Sequence, residues 1–308
     1  MIVDDISKLA MNSNEAHSVE EAVASQRESI LEPKFDGIRL LINVREDGGV
    51  RMYSRAGNDK SDRITLIEAE IASVFPPGTW LDAEAVDFNL DGSQNWGGAQ
   101  SVMSSLPAKA QAAQGNMRLI VFDLIAYGGE DGRGAMFQLR RELLEKIFDS
   151  NAEKLNRVML SPQFEPTQET HDMLVAKGYE GTMIKDLVAP YSSGKRVNGS
   201  LKIKLVETVD VVITGYTDGE GKYTNMIGAV IFGQYTEDGT FIEKRGKCSG
   251  MTDAFREELT ANKDKFIGTT MEISFRTSMP DKNTGLPNYR HPQFERIRWD
   301  KEPTECIA

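Results

Sequence analysis

The stretch 31-LEPKFDGIRLLINV-44 sets Lys34, Asp36, Gly37 and Arg39 immediately before an apolar run. The run Ile38–Val44, the turn residues Asp47-Gly48-Gly49 and the second run Val50–Ser54 together read as a β-hairpin, so the charged cluster lies on the lead-in to its first strand. One reading is a solvated strand edge with a turn at Gly37. The other is chemical. A lysine is a nucleophile only as the neutral amine, and desolvation or a cationic neighbour favours that form. A tight turn that holds such a lysine beside an anion-gripping arginine suits attack on phosphorus, and K-x-D-G-x-R fits that description.

Composition bounds the alternatives. A chain of 308 residues, 40% hydrophobic, can bury a sizeable core and is expected to hold two domains. No apolar run approaches the roughly 20 residues that span a bilayer. The opening MIVDDISKLAMNSNEA is acidic and polar where a secretory signal begins basic and then apolar. These features predict a soluble cytoplasmic protein with no membrane partner. Cys248 and Cys306 are far apart and the histidines number three, which gives no zinc spacing. A formal net charge of −11 argues against nonspecific coating of nucleic acid, yet allows a basic groove on an acidic body.

Along the chain, further strands are expected at Trp80–Phe88 and Met117–Ile125, and helices at Leu139–Ile147 and Thr167–Lys177. From Val209 the texture changes. VDVVITGY, IGAVIFGQY, TFIEKRGK and TMEISFR are short strands broken by Gly, Asp and Asn, the pattern of a small all-β barrel. The domain boundary is placed near Glu207, and GMTDAFREELTANKDKF (250–266) reads as one helix within the barrel region. The segment Asn89–Gly115 matches no motif and reads as a surface excursion.

An ordered set of short elements follows the lysine. Tyr53-Ser54-Arg55-Ala56-Gly57 comes first, then Asp82-Ala83-Glu84, Phe122-Asp123, Glu180-Gly181-Thr182-Met183-Ile184-Lys185 and Lys202-Ile203-Lys204. Near the end stands Arg290-His291-Pro292-Gln293-Phe294-Glu295-Arg296-Ile297-Arg298-Trp299-Asp300-Lys301. On these motifs, which cover nearly the whole chain, the sequence resembles the covalent nucleotidyltransferase superfamily of ATP-dependent DNA ligases, RNA ligases and mRNA capping enzymes. The S-R-x-G element and the terminal R-I-R-W-D-K are most similar to those of DNA ligases, and the lack of a zinc-binding cysteine set and of a long N-terminal domain favours the compact, phage-like ATP-dependent type.

The resemblance implies an α+β chain: residues 1–206 form an adenylation domain of antiparallel sheets flanked by helices, and residues 207–308 an all-β OB-fold. It implies ATP and Mg²⁺ as cofactors, with Mn²⁺ as a substitute, and nicked double-stranded DNA as the partner of a monomer. Lys34 would carry AMP, and Asp36 and Arg39 belong to the same catalytic turn. Glu84 and Glu180 are hard oxygen donors suited to Mg²⁺. Lys185, Lys202 and Lys204 alternate with apolar residues, so on strands they would share a face able to cradle an α-phosphate. A solubilising strand edge predicts the same alternation. Phe122 would stack on adenine, against the competing reading of an ordinary core phenylalanine, and Glu32 would read the base edge. Arg39 would hold the ribose or the nick and Arg55 the 5′-phosphate. Arg298 and Lys301 would face the pyrophosphate, against the competing reading of a salt-bridged terminal strand.

The third motif departs from the family's D-G-E by Ala83 in place of glycine. If that position needs positive φ, alanine is strained and the aim of Glu84 shifts. Within the fold, an mRNA guanylyltransferase or an RNA ligase is the alternative. From another class, a noncatalytic OB-fold nucleic-acid-binding protein would have lost the lysine or the glutamates, all of which are present. A P-loop is disfavoured because Gly219–Thr224 (GEGKYT) lacks the first glycine.

Overall fold

The computed structural model describes residues 5–204, 207–275, 277–281 and 284–308. Two compact units divide the chain, Met1–Lys204 and Leu205–Ala308. No helix among the described residues is long and apolar enough to cross a membrane.

In chain order the strands of the first unit are β1 (Asn12–Glu15), β2 (Ser29–Pro33), β3 (Ile38–Val44), β4 (Val50–Ser54), β5 (Trp80–Asp87), β6 (Met117–Tyr127), β7 (Glu130–Asp131), β8 (Val158–Leu160), β9 (Gly181–Asp186) and β10 (Arg196–Lys204). Its helices are α1 (Val19–Ala24), α2 (Thr65–Val74), α3 (Trp96–Ser104), α4 (Pro107–Ala113), α5 (Phe137–Ser150) and α6 (Gln168–Ala176). One sheet runs β1-β10-β9-β2 and the other β4-β3-β5-β6-β7, with β8 added parallel to β6. Apart from that strand and β1, which lies parallel to β10, neighbouring strands are antiparallel.

Alternation fixes which face is buried. In the second sheet Leu40, Ile42, Leu81, Ala83, Leu119 and Val121 point to one side and pack with Ile67 and Ile71 of α2 and Leu144 of α5. In the first, Leu31, Ile184, Leu201 and Ile203 pack on Val19 and Ala22 of α1 and Leu174 of α6. Each large side chain so buried contributes about 1.5–3 kcal/mol. The residues between them are left for the opposite faces, and Lys185 of β9 reaches the carbonyl of Phe122 on β6 at 3.0 Å, so polar groups of the two sheets meet.

The segment Asn89–Gly115 is not a surface excursion. Asn95 caps α3 through a bond from Gly98 N, and Ala99, Val102, Met103 and Ala110 enter the main core. Small apolar residues at helical spacing allow that close packing. The tip stands clear, with Leu90 fully exposed, and Leu106 between the two helices is exposed as well.

The second unit contains β11 (Glu207–Asp218), β12 (Ile227–Tyr235), β13 (Phe241–Cys248), α7 (Asp253–Ala261), α8 (Lys263–Phe266), β14 (Thr270–Phe275), β15 (Thr277–Pro280), β16 (Pro287–Arg290) and β17 (Gln293–Ile297). Its main sheet runs β13-β12-β11-β14-β17, and a parallel bridge from Ser249 to Gln293 joins the two outer strands and closes the barrel. Five strands so connected, with a helix between the third and fourth, form an OB-fold. The single helix expected over 250–266 is two. Gly250 has φ +89, Thr252 caps α7, and Asn262 (φ −128, ψ 37) leaves helical geometry between α7 and α8 with its amide on Glu258 O.

Candidate active site

Lys34 follows the end of β2, and the backbone sets its place. Lys34 N donates to Gly181 O (2.9 Å) and Glu180 N donates to Lys34 O (3.2 Å), so the Lys34–Arg39 and Glu180–Lys185 motifs are knitted together regardless of side chains. Two glycines make this possible. A Cβ on Gly37 would lie 2.3 Å from Ala85 O, and one on Gly181 would lie 2.1 Å from Ile203 O at φ +147. Phe35 locks the turn from beneath, edge-on to Tyr179 at 5.2 Å. Lys34 Nζ donates to Glu180 Oε2, and Asp36 N donates to Gln94 Oε1 at 2.8 Å.

The β3–β5 register places Arg39 opposite Glu84. Arg39 donates through Nε and Nη2 to the two oxygens of Asp82 at 2.8 and 2.6 Å, and the hydroxyl of Tyr191 donates to Asp82 Oδ2 at 2.6 Å. Burial opposes the charge of Arg39, but the Asp82 carboxylate more than offsets it and holds the guanidinium protonated. Glu84 has no such bidentate partner. Burial pushes its carboxyl up to about 8, against the pull of Lys34 and Arg39, with Asp82 and Glu180 pushing the same way as burial. Ala83 causes no strain: it lies within β5, opposite Leu40 and Val121, outside the positive-φ residues, and is fully buried in the core. Glycine is not required there because the motif is plain extended strand.

Phe122 sits where β6 carries one residue more than β5, between the pairs Asp82–Asp123 and Ala83–Val121. Such a bulge re-aims a side chain. Phe122 belongs to none of the hydrophobic clusters; Arg39 lies 5.6 Å from its ring centre and Lys185 5.0 Å. Its neighbour Asp123 is buried against Arg140 at 2.7 Å and belongs to the scaffold.

On the first sheet, cross-strand pairing puts Glu32, Met183 and Lys202 in one row and Ile30, Lys185 and Ser200 in the next, so the motif charges share a face. They then divide into two groups. Glu32, 2% exposed, accepts from Lys185 Nζ (2.8 Å) and Gln163 Nε2 (3.0 Å), with Arg141 at 3.8 Å. Lys185 is thereby held beside Phe122 and Phe137, apart from Lys202 and Lys204, with which sequence alternation grouped it. Lys202 and Lys204 instead face Glu15, at 3.9 and 3.0 Å. Burial, reinforced by Lys204, lowers the pKa of Lys202.

Arg55 is exposed in the turn after β4 and makes no ion pair among the described residues. Arg298 and Lys301 belong to the second unit. Arg298 grips Asp300 through two bonds of 2.9 Å and reaches Asp210 at 3.2 Å, while Lys301 Nζ donates to Asp210 at 2.6 Å.

Glu84 and Glu180 fit a hard divalent cation. No group of three or more His, Cys, Asp or Glu able to hold a metal occurs among the described residues. Two carboxylates suit Mg²⁺, which takes one or two protein carboxylates and completes its shell with water and phosphate oxygens.

The structure adds residues that sequence reading passed over: Gln94, which holds the turn of the first motif; Tyr191, behind Asp82; Gln163 and Arg141, on Glu32; and Glu15, on the paired lysines. Only Glu15 carried a signal, as a carboxylate in a short polar strand, and nothing in the sequence placed it beside Lys204.

A family model described as ATP dependent DNA ligase domain matches residues 10–204. A probable DNA ligase of Streptomyces griseus is 29% identical over 257 residues, 82% of this chain and 50% of the relative. A DNA ligase of Haloarcula marismortui is 28% identical over 309 residues, 94% of this chain and 55% of the relative. The chain thus spans about half the length of the curated relatives it matches. A solved structure named Pmar-Lig_PreS3 superposes with a TM-score of 0.78 at 23% identity, covering 94% of this chain and 68% of that one, and this likeness extends over the α+β unit and the OB-fold.

Proposed function

The chain belongs to the ATP-dependent DNA ligase family, and on that premise we propose that it seals 5′-phosphate/3′-hydroxyl nicks in double-stranded DNA through a lysyl-AMP intermediate, acting as a cytoplasmic monomer. Met1–Lys204 is the adenylation domain and Leu205–Ala308 carries the OB-fold. The observation that carries this reading is the position of Lys34: its backbone is bonded on both sides to Glu180-Gly181, its amine lies on Glu180, and its charge acts on the Glu84 carboxylate, which also feels Arg39.

The chemistry follows from that geometry. Lys34 Nζ attacks the α-phosphorus of ATP, a P–N bond forms, and the bond to the β-phosphate oxygen breaks with its electron pair leaving on pyrophosphate. The proton lost from Nζ has an acceptor in contact, the Glu180 carboxylate. Phe122 stacks on the adenine and Glu32, fixed by Lys185 and Gln163, lines the base edge. Lys202 and Lys204 meet the α-phosphate, where a pair of ammonium groups stabilises the charge built up at phosphorus. Glu84 and Glu180 would hold Mg²⁺, which would supply neutralisation of the phosphate oxygens. AMP then passes to the 5′-phosphate of the nick, gripped by Arg55, whose guanidinium gives a bidentate contact that lysine cannot. The 3′-hydroxyl displaces AMP and joins the strand.

Incubation with α-labelled ATP or GTP and Mg²⁺, followed by denaturing gel separation, tests the proposal. Label from ATP and not GTP is the expected result. Label from GTP points to a guanylyltransferase, and no label from either removes the covalent mechanism. Supplying the labelled protein with a nicked duplex, an RNA nick and a pyrophosphate chase then identifies the acceptor.

A further inference from the structure

Outside all the motifs, Asp210 on β11 is the carboxylate on which both terminal cations converge. We infer that Asp210 is a positioning residue: it sets the spacing and aim of Arg298 and Lys301 toward the pyrophosphate leaving group, an assignment that rests on the ligase reading above.

The sheet explains why such a seat exists. Asp210 and Glu272 are direct partners across β11 and β14, so two like charges face each other on one side of the barrel, an arrangement that is unfavourable unless cations lie between them. Arg298 supplies one: its Nη1 donates to Asp210 at 3.2 and 3.4 Å and stands 3.5 Å from Glu272. Lys301 supplies another, at 2.6 Å from Asp210 Oδ2, and Arg296 covers Glu272 at 2.9 Å. The backbone reinforces the seat, since Arg298 N donates to Thr270 O at 2.8 Å.

Two cations that share one carboxylate are spaced as they would be to share one phosphate, whose oxygens are similarly close. The guanidinium has its Nε and Nη2 on Asp300 and its Nη1 on Asp210. Lys301 gives one of its three N–H donors to Asp210 and its side chain is 28% exposed, more than the 19% of Arg298. Asp210 thus orders a pair of long side chains rich in rotamers, and that ordering is complete before the P–O bond breaks and charge passes to the departing oxygen.

The test uses the full chain with Asp210→Asn, which keeps the shape and removes the charge. Three rates are measured: self-adenylation by labelled ATP, its reversal by pyrophosphate, and sealing of a nick that already carries 5′-AMP. Self-adenylation should fall about 10²-fold, the size of loss that follows a displacement of roughly 1 Å at a reacting centre. The KM for pyrophosphate in the reversal should rise, while sealing of the pre-adenylated nick stays within about twofold. Asp210→Glu should recover part of the loss. A protein with only a structural need for Asp210 would lose all three together, and a self-adenylation rate unchanged or raised would also overturn the inference. Asp210→Ser gives the same reading should the asparagine variant fold poorly. Arg298→Ala run in parallel separates the two levels. If it too loses sealing of the pre-adenylated nick, the leaving-group role of the terminal motif fails; if it shows the split and Asp210→Asn does not, the positioning role alone fails.

Discussion

Around Lys34 the charged groups are aimed by backbone, whereas around Asp210 they are aimed by one another. In the first cluster the lysine, Glu180 and Arg39 hang from strands and turns whose carbonyls and amides are bonded among themselves, and two glycines allow the chains to touch. In the second, Asp210, Glu272, Arg296, Arg298, Asp300 and Lys301 form one ion-pair network on a barrel face. A cluster fixed by backbone can lose a side chain and keep its shape. A cluster fixed by ion pairs cannot.

The largest effect should therefore come from the first cluster without cost to folding. Lys34→Ala is expected to abolish covalent labelling by ATP while leaving the denaturant midpoint close to the parent's, because the bonds at Lys34 N and O remain. A labelled variant would show that another residue is the nucleophile, and an unfolded one would show that the site does depend on this side chain.

The glycine contact sharpens the same point from the other side. Gly181→Ala puts a carbon 2.1 Å from Ile203 O in a backbone conformation alanine rarely adopts, so β9 and β10 must part. A stability loss of about 3 kcal/mol is expected, read as a lower urea midpoint at unchanged m. Equal stability would mean that backbone closeness does not hold this site.

How much of this was legible in the sequence follows from the same distinction. Residues whose identity is dictated by the local chain, the Lys34–Arg39 turn and Glu180-Gly181, announce themselves, because a glycine that must touch a strand and a lysine beside it form a short pattern. The hairpin Ile38–Ser54 and the barrel strands were legible as short apolar runs broken by turn residues. The bulge at Phe122 was not, because one extra residue on β6 leaves no mark without knowing its partner strand. The division of the lysines was hidden likewise: Lys185 and Lys202 look equivalent along the chain, and only the pairing of β2 with β9 brings Glu32 to one of them. The helices in Asn89–Gly115 were missed because Gly97, Gly98 and a run of alanine and glutamine read as loop. Asp210 lies on a strand that carries no motif at all.

A smaller effect tests whether the bulge serves the base. Phe122→Ala removes a ring that packs in no core cluster, so its cost should fall on ATP use, about 1–3 kcal/mol for a lost stacking contact, seen as a raised KM for ATP. A loss of stability with an unchanged KM would return Phe122 to the scaffold.

The smallest effect contrasts two carboxylates, one from each cluster, that are shifted in opposite directions. Asp300 is held down at about 2 chiefly by its bonds from Arg298, whereas burial raises Glu84 to about 8. A raised carboxyl keeps its proton in the folded state after the unfolded chain has lost it. Below about pH 4.5, the ordinary value for Glu84, both states are protonated and the contribution is complete; as pH rises toward 8 the folded protein alone retains the proton, and stability falls. Glu84→Gln removes the ionisation and should remove this slope, leaving the titration of every other group common to both proteins. In chelator-containing buffer the variant should gain on the parent between pH 5 and 8 by on the order of 1 kcal/mol, after allowance for the screening of a partly exposed group. The readout is the difference in Tm at the two pH values. Added Mg²⁺ should shrink that difference, because a cation beside Glu84 favours the ionised form that burial disfavours. Parallel pH profiles for the two proteins would show that Glu84 is solvated like an ordinary surface carboxylate, and the contrast with Asp300 would disappear.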